Sequence, residues 1–273
     1  MADTLTPESA PASQRPIRSA PRRRRWSWTF IALTSVAVAG WFSGQYVEGL
    51  AAVAARTPDN VTAASHFDSL AWPVRILFIV HITFGGVALA IGPFQFSKRL
   101  RGRGIRTHRI VGRVYVTAVL TSAVTGATTS LWNSLGIRGV FGYFALDVLW
   151  AWTAWLAYRA ARERRIREHQ AWMIRNFAVT YAAVTLRAAL PVLILLQLPF
   201  HPHESFARLF DNSIHTIAPW LGWLINIVIA EWLIARRGLP GVRWETFQEG
   251  HEKRPARRET HVGNAAASGR TPC

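Results

Sequence analysis

The stretch PVRILFIVHITFGGVALAIGPF, residues 73–94, holds two ionisable side chains in its 22 residues: Arg75 near the start, and His81. An α-helix rises about 1.5 Å per residue, so roughly 20 apolar residues cross the hydrocarbon layer of a bilayer. The stretch therefore predicts a membrane-spanning helix. Five others read the same way: Trp28 to Val47, Ile110 to Trp132, Gly139 to Tyr158, Ala171 to Gln197 and Ser213 to Ala235. One such stretch alone is compatible with a buried helix of a soluble protein. Six in one chain, divided by polar segments, predict an all-α, polytopic transmembrane bundle of six helices.

Composition agrees. Half of the 273 residues are hydrophobic and only 17% are charged, against about 25% in soluble domains. Lys and Arg number 32 and Asp and Glu 15, a net charge of +17. Spread over a soluble surface, that excess would suggest nucleic acid. Here charge and apolar residues are segregated into blocks, so no nucleic-acid partner is expected. The single cysteine, Cys273, excludes an internal disulfide and Cys-ligated metal or iron–sulfur sites.

The basic residues also orient the chain. Twenty-five of the 32 fall in the N-terminal tail, the second-to-third and fourth-to-fifth connections and the C-terminal tail, while Arg56, Arg75, Arg138 and Arg208 alone occupy the alternate connections. The positive-inside rule then places both termini in the cytoplasm, N-in and C-in. The chain's expected partner is the bilayer itself, with anionic lipid at the basic loops. Many of the 13 Trp, such as Trp28, Trp72, Trp132 and Trp232, fall at span ends, where an interfacial ring belongs. Residues 1–25 and 237–273 are rich in Arg with Pro, Ser, Gly or Glu and cannot bury a core, so they read as disordered basic tails flanking a transmembrane domain over 26–236.

Ionisable groups within a bilayer are costly and mark candidate sites. His81, Asp147 and Arg187 lie in the outer half, the first two about 12 Å below the outer edge. An Asp147–Arg187 ion pair with His81 hydrogen-bonded to it would lower the cost of burying either charge. Near the cytoplasmic edge lie His108, Arg113, His169, Arg175 and Glu231, with Glu231 a partner for Arg175 or Arg113. The face His169, Met173, Asn176, Thr180 and Arg187 is polar along most of its length and must look inward. His81, Gly85, Ala88, Gly92 and Gln95 form a second stripe, one His followed by small residues. It permits either close helix packing or a flat cofactor beside the His. His108 aligns with Gly112 and Tyr115, and Tyr143 with Asp147 and Trp150. Pro191 should kink the fifth helix. His201 and His203, beside Pro202, read as surface residues, and no metal site is expected.

Four stretches carry a resemblance: HITFGGVALAIGPFQF from His81, HRIVGRVY from His108, HQAWMIRNFAVTYAAVTLR from His169 and NIVIAEW from Asn226. Together they resemble an uncharacterised bacterial multi-pass membrane family, domain of unknown function 2306. The resemblance implies an integral inner-membrane protein and supplies no activity. It marks His81, Gly92, Pro93, His108, Arg109, Gly112, Arg113, Tyr115, His169, Met173, Arg175, Arg187, Asn226, Glu231 and Trp232 as motif positions. A partial similarity is to membrane cytochromes of the b561 kind, in which facing His residues at one depth hold haem b. His108 and His169 meet that depth condition. His81 has Asp147 opposite it, and His215 lies nearer the outer surface.

Three functions follow as expectations. A membrane redox protein would bind haem b or a quinone through His81, His108 and His169, with Tyr115 and Asn176 beside the cofactor. A proton- or anion-coupled transporter would use the buried charges Asp147, Arg187, Arg113, Arg175 and Glu231. A structural or regulatory protein would use those charges only as helix locks. Hydrolytic motifs such as HExxH are missing.

Overall fold

A computed structural model describes residues 22–55, 63–97, 102, 104–206, 208–210, 213 and 217–242. Among these the secondary structure is helical: α1 (Arg22–Val38), α2 (Leu50–Ala55), α3 (Ala63–Asp68), α4 (Trp72–Gln95), α5 (Ile105–Ser130), α6 (Gly136–Arg162), α7 (Ile166–Thr180), α8 (Ala182–Gln197) and α9 (Ala218–Arg236). A π-helical turn, Ala39–Ser43, continues α1 into a short 3-10 helix, Gln45–Glu48. The all-α class stands. Three helices, α4, α5 and α6, are long and apolar enough to cross a membrane, and a fourth span is counted if the bent pair α7–α8 crosses as one.

Local chemistry sets the helix ends. Pro73 occupies the first turn of α4 and Pro219 that of α9, where a missing N–H costs nothing. Gly238, at φ 59°, closes α9: its N–H reaches Ala235 O and the next N–H reaches Ile234 O. The same closure ends α6, with Arg165 N bonded to Ala160 O and Arg164 N to Ala161 O, but the left-handed residue there is Arg164, at φ 58°. The bundle is built from neighbours in sequence, α4 on α5, α5 on α6 and α6 on α7, with α9 against α7 and α8 and α1 against α4. The core is made of small residues around two large rings: Ala88, Ala118, Ala123, Ala154 and Ala157 surround Tyr115 and Trp150. Small residues allow the close helix approach that packing in lipid requires. Phe84, Val87, Ile110, Val114, Val124, Phe141, Val148 and Val228 face outward, as a hydrocarbon solvent demands.

The fifth predicted span, Ala171 to Gln197, departs from expectation. It is two helices, α7 and α8, meeting at Tyr181 at an angle of 43°. The break lies ten residues before Pro191, the expected kink, and hydrogen bonds hold it. Thr180 Oγ1 bonds back to Asn176 O, a contact that bends helices. Tyr181 OH meets Thr34 Oγ1 of α1 at 2.7 Å, and Asn226 Nδ2 of α9 donates to Ala178 O at 3.0 Å. The connection before α4 is also ordered where it is described. Phe67 of α3 stacks on Phe78 of α4 at 4.1 Å, and Val53, Ala64 and Val74 join them in one buried cluster. This cap covers one end of the bundle, the capped end. Arg159 to Arg167 and Arg236 mark the other, the basic end. His215 and residues 1–21 and 243–273 of the predicted tails lie outside the described residues; Arg22 to Arg25 open α1.

Candidate functional site

Among the described residues, three polar clusters gather the candidate site residues. The central one joins α5, α6 and α7. Tyr115 OH donates to Asn176 Oδ1 at 2.7 Å and lies 2.9 Å from Thr180 Oγ1. Trp150 Nε1 donates to Thr180 Oγ1 at 2.8 Å. Asn176 Nδ2 donates to Trp150 O and to Thr153 Oγ1, each at 2.9 Å. Tyr115 and Asn176 are fully buried, and each side chain is satisfied within the cluster, which makes it a lock between three helices. Asn176 and Tyr115 were expected beside a cofactor; their hydrogen bonds are spent on protein.

The second cluster lies toward the basic end. Arg175, 3% exposed, makes a two-pronged ion pair with Glu231 of α9, Nε to Oε1 at 2.5 Å and Nη2 to Oε2 at 2.9 Å. Its guanidinium also sits 4.5 Å from the centre of the Trp172 ring. Of the two partners the sequence offered Glu231, Arg175 is the one used, and Arg113 is exposed. His169, half-buried nearby, has Nδ1 2.9 Å from Ala157 O. A carbonyl only accepts, so Nδ1 carries the proton and Nε2 keeps its lone pair. His108 is half-buried in the first turn of α5. At the basic end proper, Glu163 lies between Arg159 and Arg165, whose hydrogen bonds hold its carboxyl below the usual carboxylate range.

The third cluster is His81 and Asp147, and it meets on a glycine that sequence reasoning passed over. A Cβ placed on Gly126 of α5 would stand 2.4 Å from His81 Nδ1, 2.6 Å from His81 Cε1 and 2.7 Å from Asp147 Oδ2. The imidazole of α4 and the carboxylate of α6 therefore close over the same point of α5, no more than about 5 Å apart. His81 Nδ1 donates to Ser122 O at 2.8 Å, and Ser122 Oγ donates back to His81 O at 2.8 Å. Asp147 is 5% exposed. Among the described residues it makes no hydrogen bond and no ion pair, so the expected Asp147–Arg187 bridge does not form. Arg187 Nη1 donates instead to Ala183 O of its own helix. The break at Tyr181 supplies a physical reason: α8 is bent 43° from the line of α7, so equal depth along a straight helix no longer means a shared face. Tyr143 of α6 lies within electrostatic range of both Asp147 and Arg187, and Tyr46 within range of Arg187. The missed signal was spacing: Ala118, Ser122 and Gly126 repeat every four residues, a stripe that admits a neighbour closely.

The small-residue stripe of α4 was read as room for packing or for a flat cofactor. Packing takes it. Gly85 faces Ser122 Oγ and Trp150, and a Cβ at Gly92 would meet the Phe177 ring at 2.7 Å and the Tyr115 ring at 3.2 Å. With protein rings on the stripe and the His81 imidazole closed over Gly126, the residues around His81 do not fit a haem.

An all-helical fold with apolar outward faces and polar groups drawn inward defines a helical integral membrane protein. Residues 78–234 match the family described as predicted membrane protein DUF2306, and the chain belongs to that family. No curated protein and no solved structure matches it.

Proposed function

We propose that this protein is a solute carrier of the bacterial cytoplasmic membrane, with six spans and both termini in the cytoplasm. The spans are α1 with its π turn, α4, α5, α6, the broken pair α7–α8, and α9. The excess of arginine at the basic end supports the orientation and an association with anionic lipid there. The observation that carries the reading is the break at Tyr181, 43° within an apolar span and ringed by Thr34, Thr180, Thr185 and Asn226. Discontinuous helices are what membrane carriers use to form a solute site and to move one part of the bundle against another.

Ala182 opens α8 and is 5% exposed, so water reaches it only when the break opens. The test is Ala182→Cys in a Cys273→Ser background, treated with an impermeant thiol reagent on right-side-out and on inverted vesicles. Labelling from at least one side is expected. No labelling from either side overturns the carrier reading. A redox reading retains one favourable observation, the His169 ring held through Nδ1 on Ala157 O with no bond to Nε2 among the described residues, and the similarity to b561-type cytochromes belongs with it. A Soret band in the purified protein that His169→Ala removes would establish it in place of the carrier.

A further inference from the structure

The geometry points to the proton as the coupling ion of the proposed carrier, exchanged between Asp147 and His81 across Gly126. The inference rests on the carrier reading for its purpose and on separate atoms for its evidence. A buried carboxylate in a bilayer is sustained by a cation, by hydrogen-bond donors or by a proton of its own. Asp147 has neither ion pair nor donor among the described residues, which leaves the proton. The charged and titratable groups around it are Tyr143 on its own helix, His81 from α4, Arg187 from α8 at longer range, and Tyr46 beyond Arg187. Among the described residues no third His, Cys, Asp or Glu joins to make a metal set, so a divalent cation lacks its ligands.

His81 is placed to take that proton. Its Nδ1–H is committed to Ser122 O, which fixes the tautomer and leaves Nε2 as the basic atom. The transfer balances within the pair: the Asp147 O–H bond breaks, an Nε2–H bond forms, and a neutral acid and neutral imidazole become carboxylate and imidazolium. Nε2 is bonded to Cε1, which lies 2.6 Å from the Gly126 point, so Nε2 is within about 7 Å of Asp147 Oδ2, a gap that one or two waters bridge. Ser122 is then a positioning residue for the imidazole. Gly126 is a second, because any side chain there would enter the space both groups occupy.

The test uses the full-length protein in liposomes and needs no solute. Infrared difference spectra are recorded from about pH 4 to about pH 9. A protonated-carboxyl band that titrates and is lost in Asp147→Asn is expected. In His81→Asn, which keeps a donor for Ser122 O and cannot accept the proton, the midpoint should move by about one pH unit or more. Gly126→Ala should move it similarly. Gly92→Ala, an equal steric insult against Phe177, should leave it in place. A band absent from the wild type, or unmoved by His81→Asn, overturns the proposal, and Gly126→Ala behaving as Gly92→Ala overturns the role of Gly126. Labelling at Ala182→Cys without the band would leave the carrier standing and remove the proton; the band without labelling would do the reverse.

Discussion

Replacing Thr180 by Val should destabilise the protein more than replacing Asn176 by Leu, although each side chain makes three hydrogen bonds. Both changes keep the number and branching of the side-chain heavy atoms, so the polar terms are compared. Asn176→Leu removes three contacts, to Tyr115, Trp150 O and Thr153. Each partner keeps another: Tyr115 OH retains Thr180 Oγ1, and Thr153 Oγ1 still bonds to Leu149 O and Trp150 O. With no group orphaned, the loss is near the average worth of intramembrane hydrogen bonds, about 0.6 kcal/mol each, or about 2 kcal/mol in all. Thr180→Val removes the acceptor of Trp150 Nε1, which has no second one among the described residues. An orphaned buried donor costs about 1–3 kcal/mol. The contacts to Tyr115 OH and Asn176 O go too, for a total of about 3 kcal/mol. The ordering is measured by reversible unfolding in bicelles or mixed micelles, with Trp150→Phe in the Thr180→Val background as a check. Removing the orphaned indole N–H should recover part of the loss. Asn176→Leu proving the more damaging, or Trp150→Phe adding its full single-mutant cost, would refute the reasoning.

Other perturbations follow from single contacts. Arg164→Gly at the left-handed turn should stabilise by about 1 kcal/mol, the cost of a side chain at positive φ, seen as a raised unfolding midpoint. Glu231→Gln should cost about 1–3 kcal/mol, less than a fully buried broken pair, because the Glu231 side chain is 44% exposed while Arg175 is buried; adding Arg175→Met should recover most of the loss in a double-mutant cycle. Glu163 is held below its unfolded carboxylate range by Arg159 and Arg165, so its contribution is complete above that range and is lost as pH falls through the folded value. Protection factors at residues 163–166, corrected for the intrinsic pH dependence of amide exchange, should therefore fall on acidification in the wild type and not in Glu163→Gln.

The helices α4, α5 and α6 were legible because long apolar runs have little choice in a bilayer. Their ends ran past expectation, to Ile105 rather than Ile110 and to Arg162 rather than Tyr158, because basic side chains reach the interface from within a helix and hydropathy counts them as interruptions. The Arg175–Glu231 pair was legible from depth alone. The break at Tyr181 was not: residues 171–197 read as one apolar run, and the bonds that hold the break come from Thr34 and Asn226, far away in sequence. That one feature also misdirected the Asp147–Arg187 expectation, since depth survives a bend and facing does not. Helices α2 and α3 are too short for periodicity to register, and it is the stack of Phe67 on Phe78 that holds the cap.

The three clusters differ in a way that bears on function. The Tyr115–Asn176–Thr180–Trp150 cluster is closed, each side-chain donor having an acceptor, and the Arg175–Glu231 pair is matched in charge, so the energy of desolvation is largely returned. Closed clusters specify which helices meet, and a structural protein needs nothing more of its polar residues. The His81–Asp147 pair is open. Its two members approach within about 5 Å because α5 offers a glycine, yet the carboxylate has no donor among the described residues. An alanine at residue 147 would remove that cost, and an asparagine would remove the charge, so helix locking does not account for an acid there. What an acid has and asparagine lacks is an exchangeable proton, and that difference is why the activity of this membrane protein should be sought at Asp147 before either of the closed clusters.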